Sequence, residues 1–395
     1  MYKSVYLKKG KEESLNRFHP WIFSGAIHHM EEGIEEGDIV NVFTATNNFI
    51  AVGHYQIGSI AVRVLSFSEE EINHSFWCSH LESALKMRQR IGIADNDNNN
   101  TYRLVHGEGD ALPGLIIDCY GETMVMQAHS VGMHASRKAV CRALVEVMGN
   151  RMKHVYYKSE TTLPFKAELE QENDFIHGGT DNDIAIENGL KFHVDWLHGQ
   201  KTGFFIDQRE NRSLLEHYAK GKSVLNMFCY TGGFSVYAMR GQAKMVHSVD
   251  SSAKAIELTN RNIDLNFPGD KRHKTFCEDA FKYLDNTDNA NKYDLIILDP
   301  PAFAKHRKAL HNALKGYTRL NVKGLQRIKQ GGILFTFSCS QIVSKENFRN
   351  AVFTAAAQAG RKVRILHQLH QPADHPINIY HPEGEYLKGL VLYVE

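Results

Sequence analysis

Hydrophobic and polar residues alternate in short stretches over the first part of the chain. Tyr2 to Leu7, Ile39 to Phe43, Phe49 to His54 and Ile60 to Phe67 each carry a period of two, broken by turns such as Gly37-Asp38. Short alternating strands of this kind predict a small β-barrel. A compact cluster, Phe18, His19, Pro20, Trp21, Ile22 and Phe23, lies within Leu15 to Ile27. From Glu69 to Gly92 the period becomes helical, with Phe76, Trp77, Leu81, Leu85 and Met87 on one side. A polar loop over Asp95 to Asn100 leads into hairpin strands over Arg103 to Tyr120 and Thr123 to His129. A helix over Ser136 to Met148 and a strand over His154 to Lys158 complete a mixed α+β region. Ile184 to Glu187 and Leu190 to Val194 then flank Asn188-Gly189, a two-residue hairpin signal. The pattern divides the chain into a barrel over 1–68, an α+β middle domain over 69–183 and a third domain over 184–395.

In that third domain the apolar runs lose their alternation, as strands buried on both faces do. Val224, Leu225, Met227 and Phe228 break into a turn bearing Thr231, Gly232 and Gly233, after which a helix restarts. Met245 to Val249 ends at Asp250, Thr275 to Cys277 at Glu278 and Asp279, and Tyr293 to Leu298 at Asp299, Pro300, Pro301, Ala302 and Phe303. Gly331 and Gly332 precede Ile333 to Phe337, which ends in Ser338, Cys339 and Ser340. A helix over Glu346 to Ala359 and strands over Val363 to Leu369 and Gly389 to Val394 follow. This predicts an α/β, Rossmann-like doubly wound sheet of seven strands with an antiparallel last member.

At 395 residues the chain is long enough for two or three domains, and 43% hydrophobic residues suffice for their cores. No stretch approaches the ~18 apolar residues of a membrane span, and Met1 to Leu15 lacks an apolar signal region, so a soluble, cytoplasmic protein is expected. Six scattered cysteines show no C-x-x-C spacing, and no metal is expected. His106, Glu108 and Asp110 offer ligand types, but in a Gly-rich turn they read as loop chemistry. The net charge of +1 conceals an uneven distribution: Ala302 to Gln330 holds eight Lys or Arg and no acid. Lys315, Arg319, Lys323 and Arg327 recur every four positions, one slowly drifting face of a helix. Such a run is ordinarily a solvated face. Starting beside Asp-Pro-Pro, with Lys305 and Arg307, it reads equally as a phosphate-binding face.

The turn after Phe228 lacks G-x-G-x-x-G, so a pyrophosphate has no seat there. Asp250 stands where a strand-end carboxylate accepts ribose hydroxyls. A nucleoside without a pyrophosphate fits better than a dinucleotide. Asp-Pro-Pro is a rigid strand end, its prolines fixing φ and leaving carbonyls to face a ligand. Each acid alone is an ordinary helix cap, whereas three along one edge beside Asp-Pro-Pro are more specific.

On these motifs the chain resembles a class I S-adenosylmethionine-dependent methyltransferase. More narrowly, it is similar to bacterial large-subunit rRNA methyltransferases with an N-terminal PUA domain, the 23S rRNA cytosine-5 family, over essentially its whole length. The resemblance implies that the barrel is a PUA RNA-binding module and that S-adenosylmethionine is the cofactor. It implies a cofactor turn made by Asn226, Phe228, Tyr230, Thr231, Gly232 and Gly233. Asp250 and Ser251 would serve the ribose, Asp279 and Ala280 the adenine, and Asp299 the reacting end. In the family, Gln200 to Arg212 closes over the cofactor, which makes Phe204, Phe205 and Gln208 wall candidates. Arg209 and Arg212 become partners for a phosphate or a helix cap, although the two phenylalanines read equally as core. The implied partner is RNA, 23S rRNA in the family, gripped by the barrel and by Lys305, Arg307, Lys315, Arg319 and Lys323. Pro300, Pro301 and Phe303 would line the entry of the base. A homodimer is compatible with the chain, though no residue reads out oligomeric state.

The family's Ser-Cys-Ser match makes Cys339 the candidate nucleophile and Asp299 its catalytic partner. Cytosine C5 is a poor nucleophile, and a thiolate adding at C6 makes it enamine-like, able to take a methyl group. An isolated cysteine is more often a buried structural residue. Asp299 to Phe303 contains no second cysteine to assist release, which leaves Asp299 or a water to take the proton. Two other readings stay open. Asp-Pro-Pro followed by an aromatic also suits methylation of a base nitrogen, as on guanine, without a thiol. A non-catalytic RNA-binding assembly factor could keep the fold, but retention of Asp250, Asp279, Asp299 and Cys339 together argues against it.

Overall fold

The computed structural model describes residues 2–164, 169, 173–286, 288, 292–304 and 306–395. Two compact units emerge: Met1–Gly189, Val194–Ile206 and Ala373–Gly384 form the first, and Leu190–His193, Asp207–Pro372 and Glu385–Glu395 the second.

In the first unit the alternating segment becomes a six-stranded sheet of β1 (Lys3–Leu7), β2 (Trp21–Phe23), β3 (Ile27–Met30), β4 (Ile39–Phe43), β5 (Phe49–Tyr55) and β6 (Ile60–Ser66). Its order is β2-β6-β5-β4-β1-β3. Val5, Leu7, Val40 and Val42 fill the core at every second position, which is what the alternation encodes. β2 and β3 lie in and just after the aromatic cluster, where three and four residues are too few to show a period.

α1 (His74–Arg90) begins later than its periodicity suggests, because the Asn73 side chain accepts the Phe76 N–H at 3.2 Å and fixes the helix start there. α2 (Val131–Met148) begins earlier, capped by Ser130. These helices share a core with a five-stranded sheet of β7 (Thr101–His106), β8 (Leu115–Tyr120), β9 (Thr123–Ala128), β10 (His154–Lys158) and β11 (Asn173–His177). Arg88, beside the apolar stripe of α1, is fully buried. It donates to Asp110 Oδ2 (2.8 Å), Arg103 O (2.8 Å) and Asp374 O (2.7 Å). Arg103 grips Asp118 with two bonds of 2.7 and 2.8 Å. Asp110, in the Gly-rich turn, is therefore an arginine partner. β12 (Ile184–Glu187) ends the contiguous part of this unit, and Asn188 and Gly189 both have positive φ, 50° and 79°, as a primed hairpin turn requires.

The second unit runs β13 (Leu190–His193), α3 (Arg209–Ala219), β14 (Ser223–Met227), α4 (Gly233–Arg240), β15 (Met245–Asp250), α5 (Ala253–Asn266), β16 (His273–Cys277), α6 (Ala280–Asp285) and β17 (Tyr293–Leu298). It continues with α7 (Leu310–Arg327), β18 (Ile328–Ser338), α8 (Lys345–Ala359), β19 (Val363–Leu369) and β20 (Lys388–Val394). Seven strands pair in the order β16-β15-β14-β17-β18-β20-β19. The first five are parallel, and β20 is antiparallel to both of its neighbours. The order reverses between β14 and β17, and in open α/β sheets that switch point opens a ligand crevice at the strands' carboxyl ends. β18 starts at Ile328, ahead of the two glycines, with Gly331 at φ 73° and a register irregularity against β17. Among the described residues no helix is long and apolar enough to cross a membrane.

Candidate active site

The turn after β14 is built under strain. Phe228 and Tyr230 adopt φ 59° and 47°, and Gly232 φ 75°; left-handed conformations cost side-chain-bearing residues free energy that the surroundings must offset. The offset is visible. Thr259 of α5 donates to Tyr230 O at 2.9 Å and Asn262 to Thr231 O at 2.8 Å. A Cβ on Gly232 would lie 2.7 Å from the Thr259 methyl, so only glycine lets the turn sit this close to α5. The turn thus holds its backbone open at the switch point without a pyrophosphate cradle.

Asp250, at the end of β15, accepts the Tyr230 N–H (3.1 Å) on one oxygen and the Ser252 N–H (2.9 Å) on the other. A carboxylate has about four acceptor sites, so its orientation is fixed while capacity for two hydroxyls is left. Ser251 beside it is exposed. Asp279 caps α6, its Oδ1 taking the N–H groups of Phe281 (3.0 Å) and Lys282 (3.1 Å), and the carboxylate is exposed; Ala280 behind it is buried. Phe228 and Tyr230 are half-buried, and Thr231 and Gly233 are buried in the turn. Asn226 lies beneath it, 1% exposed, its amide donating to Ser235 at 2.9 Å in a chain that continues through Ser248 to His273. It supports the turn from below.

At the end of β17, Asp299 accepts the Gln208 amide at 3.1 Å, and Gln208 is itself held by Asn211 at 2.6 Å. Pro300 is buried and Pro301 exposed. Phe303 packs on Tyr317 of α7 with ring centroids 4.6 Å apart, and Gly316 makes room, since a Cβ there would lie 3.0 Å from the Phe303 ring. β18 pairs alongside β17, so Cys339 and Asp299 leave neighbouring strand ends. Ser338 donates to the Tyr317 hydroxyl (2.9 Å) and Ser340 to Ala304 O (2.7 Å), tying the Ser-Cys-Ser segment to α7 and to the loop after Asp-Pro-Pro. The half-buried Cys339 thiol sits between these two anchors. Burial pushes the Tyr317 hydroxyl up to about 12, with ionised Cys339 and Asp299 adding to the rise. Nothing local marks Tyr317 beyond its place on the apolar side of a basic helix. Cys229, in the turn after β14, is buried against Thr259 and burial pushes its thiol up to about 12.

Other expected residues fall elsewhere. Phe205 belongs to the first unit, half-buried, with the Lys201 ammonium 4.7 Å from its ring centroid; Phe204 is core of that unit. Arg209 and Arg212 are 2% and 3% exposed, and Arg212 lies over the Tyr237 ring. Their burial corrects the phosphate half of that expectation and leaves the helix-cap half standing. Along α7, Lys323 is paired with Asp285, Arg327 donates to Asp285 O (3.0 Å) and Arg319 stacks on Phe281 at 4.5 Å. Arg307 and Lys315 are exposed, and Lys305 lies outside the described residues. The helical face is real, but part of its charge is spent within the protein. Lys315, Arg319 and Lys323 border a groove of about 500 Å3 between α7 and α8, faced by Asn347 and Asn350.

Known proteins resemble the chain at both ends and over its length. Residues 5–67 match a family model described as a PUA-like domain, and residues 170–378 match one described as S-adenosylmethionine-dependent methyltransferase. A ribosomal RNA large subunit methyltransferase I of Alteromonas mediterranea is 38% identical, covering 100% of this chain and 99% of its own. Its counterpart in Aeromonas hydrophila is 39% identical, covering 99% of both. Among solved structures, a putative methyltransferase complexed with SAH superposes with a TM-score of 0.85 at 22% identity, over 99% of each chain. A putative SAM-dependent methyltransferase from Streptococcus mutans gives 0.83 at 23%, again over 99% of each.

Proposed function

Since the chain belongs to the ribosomal RNA large subunit methyltransferase I family of S-adenosylmethionine-dependent methyltransferases, we propose that it methylates C5 of a cytosine in 23S rRNA through a covalent bond to Cys339. The observation that carries this reading is the half-buried Cys339 thiol, which leaves the strand end neighbouring that of Asp299. The cofactor supplies a methyl group already activated on a sulfonium.

The residues fit such a molecule. The strained turn offers backbone, Asp250 keeps acceptor sites for two ribose hydroxyls, and Asp279 stands one strand further out for the adenine. On the substrate side, the Cys339 thiolate adds to C6, forming a carbon–sulfur bond and moving electron density to C5. C5 takes the methyl group; Asp299 or a water then removes the C5 proton, and the carbon–sulfur pair returns to the thiolate. Asp299, held by Gln208, is oriented to accept from the exocyclic amine of the base and to stabilise charge as it develops. The base reaches it by leaving its stack, while Arg307, Lys315 and the PUA-like domain hold the backbone.

Methylation of a base nitrogen is the second reading, favoured by Asp-Pro-Pro with an aromatic close behind. The packing of Phe303 onto Tyr317 leaves that ring less free to stack on a base. The two readings separate on one experiment. Cys339→Ala is expected to bind S-adenosylhomocysteine and RNA but to form no 5-methylcytosine, and the unaltered enzyme to give a denaturation-resistant adduct with RNA carrying 5-fluorocytidine. Methylation by Cys339→Ala at near the unaltered rate would transfer the assignment to a base nitrogen.

A further inference from the structure

β20 opens with a lysine in a run, KGLVLYV, whose other members are small or apolar but for a tyrosine. Lys388 stands opposite Ser338 in the antiparallel ladder with β18 and is 5% exposed. An amine that deep costs free energy unless its N–H groups are satisfied and its charge is answered. The first condition is met in part by two carbonyls, Ser340 O at 2.6 Å and Tyr386 O at 2.7 Å. Carbonyls leave the charge unanswered.

Among the described residues, Glu346, Arg349 and His370 line the same groove as Lys388, and Glu385, three residues earlier, helps to hold the amine charged although it is paired with Lys345 of α8. Tyr317 on α7 reaches the same strand end through Ser338. Cys339 adjoins both of the lysine's contacts at the end of β18. It is flanked by the residue that Lys388 faces in the ladder and by the one whose carbonyl Lys388 binds.

We infer that Lys388 is a positioning residue for Cys339: its ammonium fixes the carbonyl next to the nucleophile and supplies the positive charge that keeps the thiol ionised. The inference rests on the proposed role of Cys339. Burial pulls the Lys388 amine down to about 8, and an ionised Cys339 pulls it back up. By linkage the lysine favours the thiolate to the same extent. Lys388 transfers no proton. During addition to C6 the negative charge leaves the sulfur while the ammonium stays, so the same cation receives the thiolate when it is expelled.

The test reads the thiol without reading methyl transfer. Alkylation of Cys339 by iodoacetamide, followed peptide by peptide in the mass spectrometer, is measured against pH in the full-length protein, in Lys388→Gln and in Lys388→Arg. Glutamine can still donate to a carbonyl but has no charge. At pH 7 Lys388→Gln is expected to alkylate ~10-fold more slowly, the midpoint rising by about one pH unit, because only the thiolate reacts; Lys388→Arg is expected to keep the original profile. A folded Lys388→Gln protein with an unshifted profile would overturn the inference. Should that variant not fold, Cys339→Ser supplies the reciprocal measurement: acetic anhydride labelling of Lys388 should move to lower pH, and an unmoved labelling profile would overturn the inference equally. The nucleophile itself stands or falls on 5-methylcytosine formation by Cys339→Ala, so the two ideas fail on different measurements.

Discussion

The aspartates of the first unit and those along the sheet edge of the second are treated in opposite ways. Asp110 and Asp118 are met by arginines, the buried Arg88 and the half-buried Arg103, each through paired bonds. Asp250 takes two backbone N–H groups, Asp279 caps a helix and Asp299 takes the amide of Gln208. A guanidinium cancels the charge and occupies both oxygens in a fixed fork. A backbone amide orients the carboxylate and leaves its charge and part of its acceptor capacity for something else. The identity of the donor therefore separates the acids neutralised within the protein from those that the proposed function assigns to a ligand, and the residue type alone does not.

Breaking the first half of this contrast should have the largest effect. Arg88→Met leaves Asp110 and the Asp374 carbonyl without their cation in a dry interior, and losing one partner of a buried pair costs ~3–5 kcal/mol. Urea denaturation followed by circular dichroism should show that loss; an unchanged midpoint would mean that Asp110 is easily hydrated and the contrast is weaker than drawn. In the second unit the same kind of deletion should affect binding more than stability. Asp250→Ala is expected to lower affinity for S-adenosylhomocysteine roughly a hundredfold or more in calorimetry, each hydroxyl contact to a carboxylate contributing ~1.5–3 kcal/mol. Its unfolding midpoint should move far less than that of Arg88→Met. Unchanged affinity would remove Asp250 from the ribose.

The smallest expected effect carries the same distinction to the cations. Lys315 is exposed on α7, whereas Lys323 is paired with Asp285. Lys315→Ala should therefore flatten the salt dependence of RNA binding by about one charge, and Lys323→Ala by less. Equal slopes would show that the Asp285 pair opens when RNA arrives.

Where a segment's environment is set by its neighbours in sequence, its structure could be read in advance. β14, β15 and β17 are apolar runs, the last two ending at Asp250 and Asp299, and all three fall within a residue or so of where those runs place them. The turn after β14 was legible for the same reason, its small residues being local. What escaped depends on partners distant in sequence. Arg88 looks like the polar edge of a helix until Asp110 and Asp374 are brought to it. Lys388 looks like the solvated start of a strand until β18 covers it. Arg209 and Arg212 carry the charge of a surface and the burial of a core, and no local pattern announces that. β11 (Asn173–His177), half-exposed and carrying two polar residues before its apolar pair, has too little pattern to be seen.

The return of Ala373–Gly384 to the first unit also bears on how the chain is made. The Arg103 amide and its acceptor Asp374 are separated by 271 positions. At ribosomal speeds of about 5–20 residues per second that interval lasts roughly ten seconds to a minute. Throughout it the N-terminal unit holds its strands and its arginines but lacks the acceptors that Asp374 delivers. The part of the protein synthesised first is thus completed late, and the sheet that carries the chemistry has all but its last strand translated before its elder neighbour can close.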